Sequence, residues 1–231
     1  MQIAWDSSSL GVFKTCPRKY YYQYILQRSS RGQNIHLAFG GAYHKALEIY
    51  DHAKIGADED HHTATLRAID YCMQFIDGPE PDSYKNRFTL VRTVCWYLDQ
   101  FQFDPAETIK LDSGKPAVEL SFRIELEDIE ARTPDGDAYL LCGHIDRLVE
   151  FQGRVHWLDR KTTKYALDQR YFAQFSPHNQ FSLYDVASQI IYGEGVADGI
   201  VDAAQVLVNG SRFSRQFTHR SAQHREEYLH D

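Results

Sequence analysis

The chain contains 231 residues, of which 43% are apolar or aromatic, and carries a formal net charge of −7 at pH 7. A chain of this length and apolar content can build one substantial core, and no internal repeat divides it, so we predict a single domain. The negative charge counts against a protein that coats nucleic acid without specificity. Short basic clusters can still contact phosphates, although each is equally explained as a solvated surface; they are Arg18 with Lys19, Arg28 with Arg31, Lys161 with Lys164, and Arg212 with Arg215.

No apolar stretch approaches the roughly 20 residues that span a bilayer, and the N-terminus lacks the apolar run of a secretory signal. We therefore predict a soluble, cytoplasmic protein with no membrane partner. The cysteines are widely separated and form no Cys-x-x-Cys pair, so they are most simply interpreted as reduced, buried thiols. They are Cys16, Cys72, Cys95 and Cys142.

The N-terminal half of the chain, about residues 1–110, has helical patterns. Residues 6–26 begin with Asp6 or Ser7 as a helix cap, and Pro17 is placed to open a second helical segment. Four tyrosines then follow a basic pair, at positions 20, 21, 22 and 24. They either pack against the rest of the protein, which is the simpler interpretation, or stack on the bases of a single nucleic-acid strand.

Further helices are predicted over residues 37–54 and, in two runs broken at 78–82, over residues 60–104. The first of these contains Gly40 and Gly41, and each glycine costs about 1 kcal/mol relative to alanine inside a helix. We expect a close approach of another backbone, or of DNA, to offset that cost. His44 lies one turn further along, on the same face as Gly40.

The pattern changes to strands in the second half, about residues 111–231. Strands are predicted near 117–127, 138–151, 153–162 and 200–218, the last with an Asn-Gly turn at Asn209. Ser176 and Pro177 predict the start of a helix that runs to about 192, and residues 222–231 begin another. Glu119 lies on the polar face of the first strand.

Two predicted strands joined by a glycine-containing turn, over residues 143–161, carry the most informative side chains. Because side chains alternate along a strand, Asp146 shares a face with His144, and Asp159 shares a face with Lys161. Carboxylates within otherwise apolar strands need a cation, and a divalent metal is a natural one. The alternative is a solvent-facing hairpin whose acids pair with neighbouring arginine or lysine side chains.

The first interpretation provides the parts of metal-assisted phosphodiester hydrolysis. Asp146 and Asp159 supply two metal ligands, and Lys161 supplies a cation near the scissile phosphate.

These residues resemble the core of the PD-(D/E)XK nuclease superfamily, and specifically its RecB-type branch, which is related to CRISPR-associated and phage nucleases. The matching core segments are Gly143-His144-Ile145-Asp146-Arg147 and Asp159-Arg160-Lys161-Thr162. Three other segments match in the same order, namely Cys16-Pro17-Arg18-Lys19-Tyr20, Gly40-Gly41-Ala42-Tyr43-His44 and Gln180-Phe181-Ser182-Leu183-Tyr184. Arg160 departs from the family, which more often has an aromatic or aliphatic residue there, but its side chain should point away from the site.

The resemblance implies an α/β fold with a restriction-endonuclease-like core, in which a mixed central sheet is flanked by helices. It implies that His44, Asp146, Asp159 and the carbonyl group of Arg160 hold Mg²⁺ or Mn²⁺. Lys161 would act in catalysis, and Gln180 and Tyr184 would flank the site and orient the phosphate or the catalytic strand. Glu119 resembles an acid that the family places near the metals, although a solvated strand face explains it equally well.

The expected function is that of a metal-dependent deoxyribonuclease, namely an exonuclease in recombination, repair or phage DNA processing, with a helicase or recombination partner. A catalytically silent DNA-binding or assembly module that retains the fold is the alternative. Relatives that share the Cys16 segment often hold an iron-sulfur cluster through that cysteine and three C-terminal ones. No cysteine follows Cys142, so no cluster is expected in this chain, although a longer form could hold one through Cys16.

Overall fold

A mixed β-sheet forms the centre of the protein. The computed structural model describes residues 4–28, 34–77, 82–126 and 132–230. Within them the sheet has seven strands: β1 (Ala4–Trp5), β2 (Glu107–Thr108), β3 (Val118–Glu125), β4 (Leu140–Phe151), β5 (Arg154–Thr163), β6 (Gly199–Leu207) and β7 (Gly210–Thr218). The main strand order is β1-β4-β5-β6-β7, and β2 and β3 also pair with β4.

The hairpin of β4 and β5 is the predicted one, with Arg147 opposite Leu158 in an antiparallel register. Strand β5 then pairs in parallel with β6, whereas β6 and β7 form an antiparallel hairpin. Because parallel neighbours need a crossover connection, the chain passes through two helices between β5 and β6. The α/β class with a mixed, helix-flanked sheet is therefore confirmed.

Eight α-helices surround the sheet within the described ranges. They are α1 (Ser7–Thr15), α2 (Pro17–Tyr20), α3 (Ile35–Asp51), α4 (His61–Met73), α5 (Arg87–Gln100), α6 (Gln169–Ala173), α7 (Asn179–Tyr192) and α8 (Ala222–His230). π-Helical turns follow α2 and α3, at Tyr21–Ile25 and His52–Gly56. Asp6 caps α1, as predicted, by accepting a hydrogen bond from the Ser9 amide.

The two larger of three apolar cores among the described residues pack helices against the sheet. In the first, Trp157 of β5 and Ala203 of β6 pack with Phe181 and Tyr184 of α7. In the second, Ala204 and Val206 of β6 pack with side chains of α3, α4 and α5. Successive residues of β6 contribute to different cores because their side chains alternate.

A buried network of charges accompanies the second core and includes Arg160. The Arg160 guanidinium is 2.8 Å from Asp51 and lies 5.9 Å from the centre of the Tyr97 ring. Arg215 contacts Asp202 at 3.0 Å, and the Tyr97 hydroxyl donates to the same Asp202. The Arg160 side chain is thus held within this network by its ion pair with Asp51.

Several local predictions were wrong. The helix near 177–192 begins at Asn179 with His178 as its N-cap, so Ser176 does not cap it. Within residues 6–26, by contrast, the prediction that Pro17 opens a second helical segment is confirmed, because α1 ends at Thr15 and α2 begins at Pro17 after the extended backbone of Cys16. Strands β1 and β2 and helix α6 were not predicted, because each has only two to five residues and no clear periodicity. Residues 29–33, 78–81 and 127–131, which include Arg31, the predicted helix break and the end of the strand near 117–127, lie outside the described residues.

The prediction that Cys16 is buried was also wrong, because its side chain is exposed. Of the other cysteines, Cys72 is buried, whereas Cys95 and Cys142 are partly buried. The tyrosines near Cys16 were expected either to pack against the protein or to stack on nucleic-acid bases. Tyr20 is buried and fits the first interpretation, whereas Tyr21 and Tyr22 are exposed.

Candidate active site

Asp146 connects three elements at the point where β4 and β5 separate. Its side chain is 7% exposed, and Oδ2 accepts a hydrogen bond of 2.8 Å from the backbone N–H of Arg160 on β5. The same oxygen lies 3.3 Å from Nδ1 of His44 on α3. Asp146 is therefore held in a fixed orientation between a strand and a helix.

His44, Glu119 and Asp146 form a cluster of metal-ligand type. Each offers one ligand atom, and these atoms lie within 4.8 Å of one another. Glu119 reaches the cluster from β3 with a positive φ of 49°, a conformation that non-glycine residues adopt rarely and that often occurs at functional sites. Two carboxylates and an imidazole suit a divalent cation such as Mg²⁺ or Mn²⁺.

The electrostatics of Glu119 also fit a cation. Its pKa is raised to about 7, mainly by burial and then by the neighbouring carboxylates of Asp146 and Glu48. Without a metal, the Glu119 carboxyl group thus keeps its proton to a higher pH than an ordinary glutamic acid does. A bound cation would offset this repulsion and favour the ionised form.

Asp159 is completely buried beside this cluster and is paired with Lys161. Its Oδ2 lies 2.6 Å from the Lys161 ammonium, but neither carboxylate oxygen has a well-aligned hydrogen bond from the described residues. Burial raises the pKa of Asp159, and the charge of Asp146 raises it further, although Lys161 acts in the opposite direction. Such incompletely satisfied oxygens fit a carboxylate that receives an additional cation.

Lys161 is the link between Asp159 and α7. Its Nζ donates a hydrogen bond of 3.0 Å to Oε1 of Gln180, whose Nε2 donates one of 2.8 Å to the Tyr184 hydroxyl. The predicted Gln180 and Tyr184 pair, four residues apart on α7, is therefore in contact with the predicted lysine. This chain of hydrogen bonds fixes the position of the ammonium group.

A cavity of about 550 Å³ gives access to the site. Its lining includes His44, Glu119 and Lys161 together with Gly40 and Gly41. A Cβ atom at Gly40 would meet only the Thr162 hydroxyl, at 3.7 Å, and one at Gly41 would meet nothing among the described residues. The expected close approach of another backbone was therefore wrong, whereas an approach by DNA stays a prediction.

Gly143, in contrast, is required by close packing. A Cβ atom there would lie 2.7 Å from the ring of Phe122, and that ring packs edge-on against Tyr184. The glycine of the sequence motif therefore makes room for an aromatic contact that supports Tyr184.

Replacing Gly143 by alanine should lower the free energy of unfolding by about 1–3 kcal/mol, because the Phe122 ring would have to move. Urea denaturation measures this change. Gly11→Ala is the matched control, since Gly11 lies in α1 with nothing within 4 Å of its added Cβ, and alanine favours a helix. A Gly143→Ala variant as stable as the parent would contradict the packing argument.

The raised pKa of Glu119 predicts how stability without metal depends on pH. The folded protein keeps a proton that the unfolded chain has released, so the free energy of unfolding should fall as pH rises from 4.5 to about 7. Thermal denaturation in EDTA measures this fall, which should be smaller in Glu119→Gln. If the two proteins show the same pH dependence, the carboxyl group of Glu119 is not the cause.

Comparison with known families agrees with this geometry. A sequence model of the PD-(D/E)XK nuclease superfamily matches residues 5–226, nearly the whole chain. No curated protein matches the chain in sequence. Among the described residues, no helix is both long and apolar enough to cross a membrane.

Proposed function

This chain belongs to the PD-(D/E)XK nuclease superfamily, and we propose that it is a deoxyribonuclease that uses Mg²⁺ or Mn²⁺. Membership supports a metal-dependent nuclease in general, with its restriction-endonuclease-like fold. The observation that carries the proposal is the adjacency of a metal-ligand cluster to a buried Asp159–Lys161 pair. A site with only a structural role does not require an ammonium group paired with a buried carboxyl group whose pKa is raised.

The proposed metal ligands come from three strands and one helix. His44, Glu119 and Asp146 provide the clustered atoms. Asp159 and the carbonyl group of Arg160 would complete the set. Glu119 is added to the ligands that the sequence indicated, because its carboxylate lies in the cluster of ligand atoms. Its resemblance to a family residue alone did not distinguish a metal ligand from a solvated residue.

Hydrolysis at this site needs two contributions. A divalent cation, when bound, neutralises charge on the phosphate and makes the attacking water more acidic. Lys161 positions that water or stabilises the negative charge that develops on the phosphate oxygens. As the water oxygen bonds to phosphorus and the water gives up a proton, the P–O ester bond breaks and the leaving oxygen takes up a proton, so that one proton is transferred overall.

Gln180 has a positioning role in this scheme. Its side chain accepts from Lys161 and donates to Tyr184, so it keeps the ammonium group directed toward Asp159 and the phosphate. Arg160 contributes its backbone, because its side chain is held by Asp51 in the buried network. The backbone N–H of Arg160 then orients the Asp146 carboxylate.

The finer functional assignments rest on the resemblance alone. They are membership of the RecB-type branch, exonuclease rather than endonuclease activity, and a role in recombination, repair or phage DNA processing with a helicase or recombination partner. We also propose that the chain forms one nuclease domain and acts in the cytoplasm.

A silent DNA-binding module is the second candidate. The retained Lys161 argues against it, because an ammonium group cannot bind a cation and would only weaken a purely structural metal site. A catalytic role explains the position of Lys161 beside Asp159, whereas DNA binding alone does not explain it.

The test is a cleavage assay with closed circular and linear DNA, each single- and double-stranded, in Mg²⁺, Mn²⁺ or EDTA. We expect cleavage with a metal and none in EDTA. Cleavage restricted to linear DNA would support an exonuclease. Binding of DNA without cleavage of any substrate, in either metal, would favour the silent module.

A further inference from the structure

A second and larger cleft, of about 1,090 Å³, lies next to the candidate active site. Its walls come from α1, α2, the start of α7, and α8. Gln180 lines this cleft and accepts a hydrogen bond from Lys161, which lines the smaller cavity of the metal cluster. The Lys161–Gln180 hydrogen bond therefore connects the linings of the two cavities.

The cleft contains a buried guanidinium group that forms no ion pair among the described residues, and the one carboxylate residue in the lining, Glu227, accepts a hydrogen bond from Gln223 instead. Arg220 lines the cleft and is only 3% exposed, yet its guanidinium makes no ion pair within the described ranges. Its N–H groups donate to four neutral oxygens, those of the Phe175 and His219 carbonyls and the Ser182 and Thr218 hydroxyls. The nearby carboxylate of Asp185 pairs with Arg225 at 2.9 Å. Its negative charge therefore raises the pKa of Arg220 only from a longer distance.

A buried charge of this kind is costly unless an opposite charge accompanies it. Burial also lowers the pKa of Arg220, which reflects the same cost. An anion bound in the cleft would offset the positive charge of Arg220 and so reduce the cost of its burial.

The start of α7 adds to the positive potential of the cleft. The first-turn N–H groups of a helix have no intrahelical partners and carry the positive end of its dipole. His178, the N-cap residue, makes no side-chain capping bond, and its Nδ1 atom is buried without a hydrogen-bond partner in the described part of the chain. Lys19, on α2, lines the same cleft with an exposed side chain and no ion pair among the described residues.

We propose that this cleft binds the phosphate backbone of a single DNA strand beside the scissile phosphate. The inference rests on the proposed nuclease function, because the strand would pass from the metal cluster across Gln180 to Lys19 and Arg220. Phosphates are the anions that such a strand presents at regular intervals, and a basic groove of this kind follows the backbone without reading sequence. The cleft volume of about 1,090 Å³ is close to that of clefts that hold small ligands, which favours a few nucleotides of one strand over a duplex.

The binding of a fluorescent oligothymidylate, measured by anisotropy in EDTA, tests this proposal without cleavage. Lys19→Glu should bind the single strand about fivefold or more weakly than the parent, and the salt dependence of its binding should fall by about 0.7 per lost phosphate contact. Lys110→Glu is the control for charge, since Lys110 is exposed and lines neither cavity. Equal affinities of the two variants would overturn the proposal.

Two further measurements distinguish a failure of the cleft proposal from a failure of the proposed nuclease function. Mn²⁺ affinity should be unchanged in Lys19→Glu, and a weakened Mn²⁺ site would show that the effect arises at the metal cluster. A duplex of the same length should bind more weakly, and an equal dependence of duplex binding on Lys19 would overturn the single-strand assignment. If the parent protein cleaves no DNA but binds the single strand through Lys19, the nuclease function fails and the cleft assignment stands.

Arg220 provides an independent variant. Arg220→Lys keeps the positive charge but loses the planar array of donors, so it should reduce both oligothymidylate binding and thermal stability. Unchanged single-strand affinity in a folded Arg220→Lys protein would contradict a contact between its guanidinium and the backbone.

Discussion

Replacing Lys161 by alanine is expected to lower the rate of DNA cleavage by at least about 100-fold while the metal cluster still binds Mn²⁺. The ammonium group lies 2.6 Å from Asp159 but cannot itself coordinate a cation, so its removal should affect the chemistry more than metal binding. Single-turnover cleavage at saturating Mn²⁺ measures the first effect, and isothermal titration calorimetry measures the second.

Lys45→Ala is the matched control. Lys45 lines the same cavity, but it is exposed and pairs with Glu48 at 2.7 Å, away from the Asp159–Lys161 contact. Its removal should change cleavage only slightly. Lys161→Met serves as a second variant, because it preserves most of the side-chain volume around the buried Asp159. Substantial turnover by both Lys161 variants would remove this residue from the catalytic group.

The second large effect is expected at the metal ligands. Asp146→Asn and His44→Ala should each weaken Mn²⁺ binding by at least about tenfold, since loss of a ligand should cost no less than loss of a residue that only supports one. The remaining ligands still form part of the site, so a higher Mn²⁺ concentration should restore part of the activity. Calorimetry gives the affinity, and cleavage over a range of Mn²⁺ concentrations gives the rescue.

Asp112→Asn and His62→Ala control for the change of residue type, because both residues are exposed and line neither cavity. Glu119→Gln extends the series to the ligand that the structure added. Unchanged Mn²⁺ affinity in both Asp146→Asn and His44→Ala would mean that the metal binds elsewhere.

The catalytic hairpin could be predicted because a two-residue alternation fixes which side chains share a face. Asp159 and Lys161 are two positions apart on β5, and their contact at 2.6 Å follows directly from that spacing. Gln180 and Tyr184 are four positions apart on α7, so their contact also follows from local geometry. His44 required the family resemblance, since a single histidine in a helix carries no such information.

The position of Glu119 could not be read from the sequence. The alternation of β3 assigned it to a polar face, and both a solvated residue and a metal ligand fit that assignment. Its approach to His44 depends on the packing of α3 against the sheet and on a backbone angle that the sequence does not indicate. The burial of Asp159 depends likewise on side chains that are distant in the chain.

The cleft around Arg220 was missed for the same reason. Its walls are elements from the two ends of the chain, and no periodic pattern connects Lys19 with a residue about 200 positions later. Cys16 is a related case, because an isolated cysteine is usually buried, whereas this one lies in the exposed connection between α1 and α2.

The most direct test of the metal-dependent site is a crystal structure of the protein with Mn²⁺ and a short DNA strand, with anomalous scattering used to locate the metal. We predict a Mn²⁺ peak in contact with His44, Glu119 and Asp146, with the scissile phosphate on the side of Lys161. A fully loaded crystal in which Mn²⁺ lies away from these three residues, or in which the DNA phosphate does not reach the metal, would contradict the account.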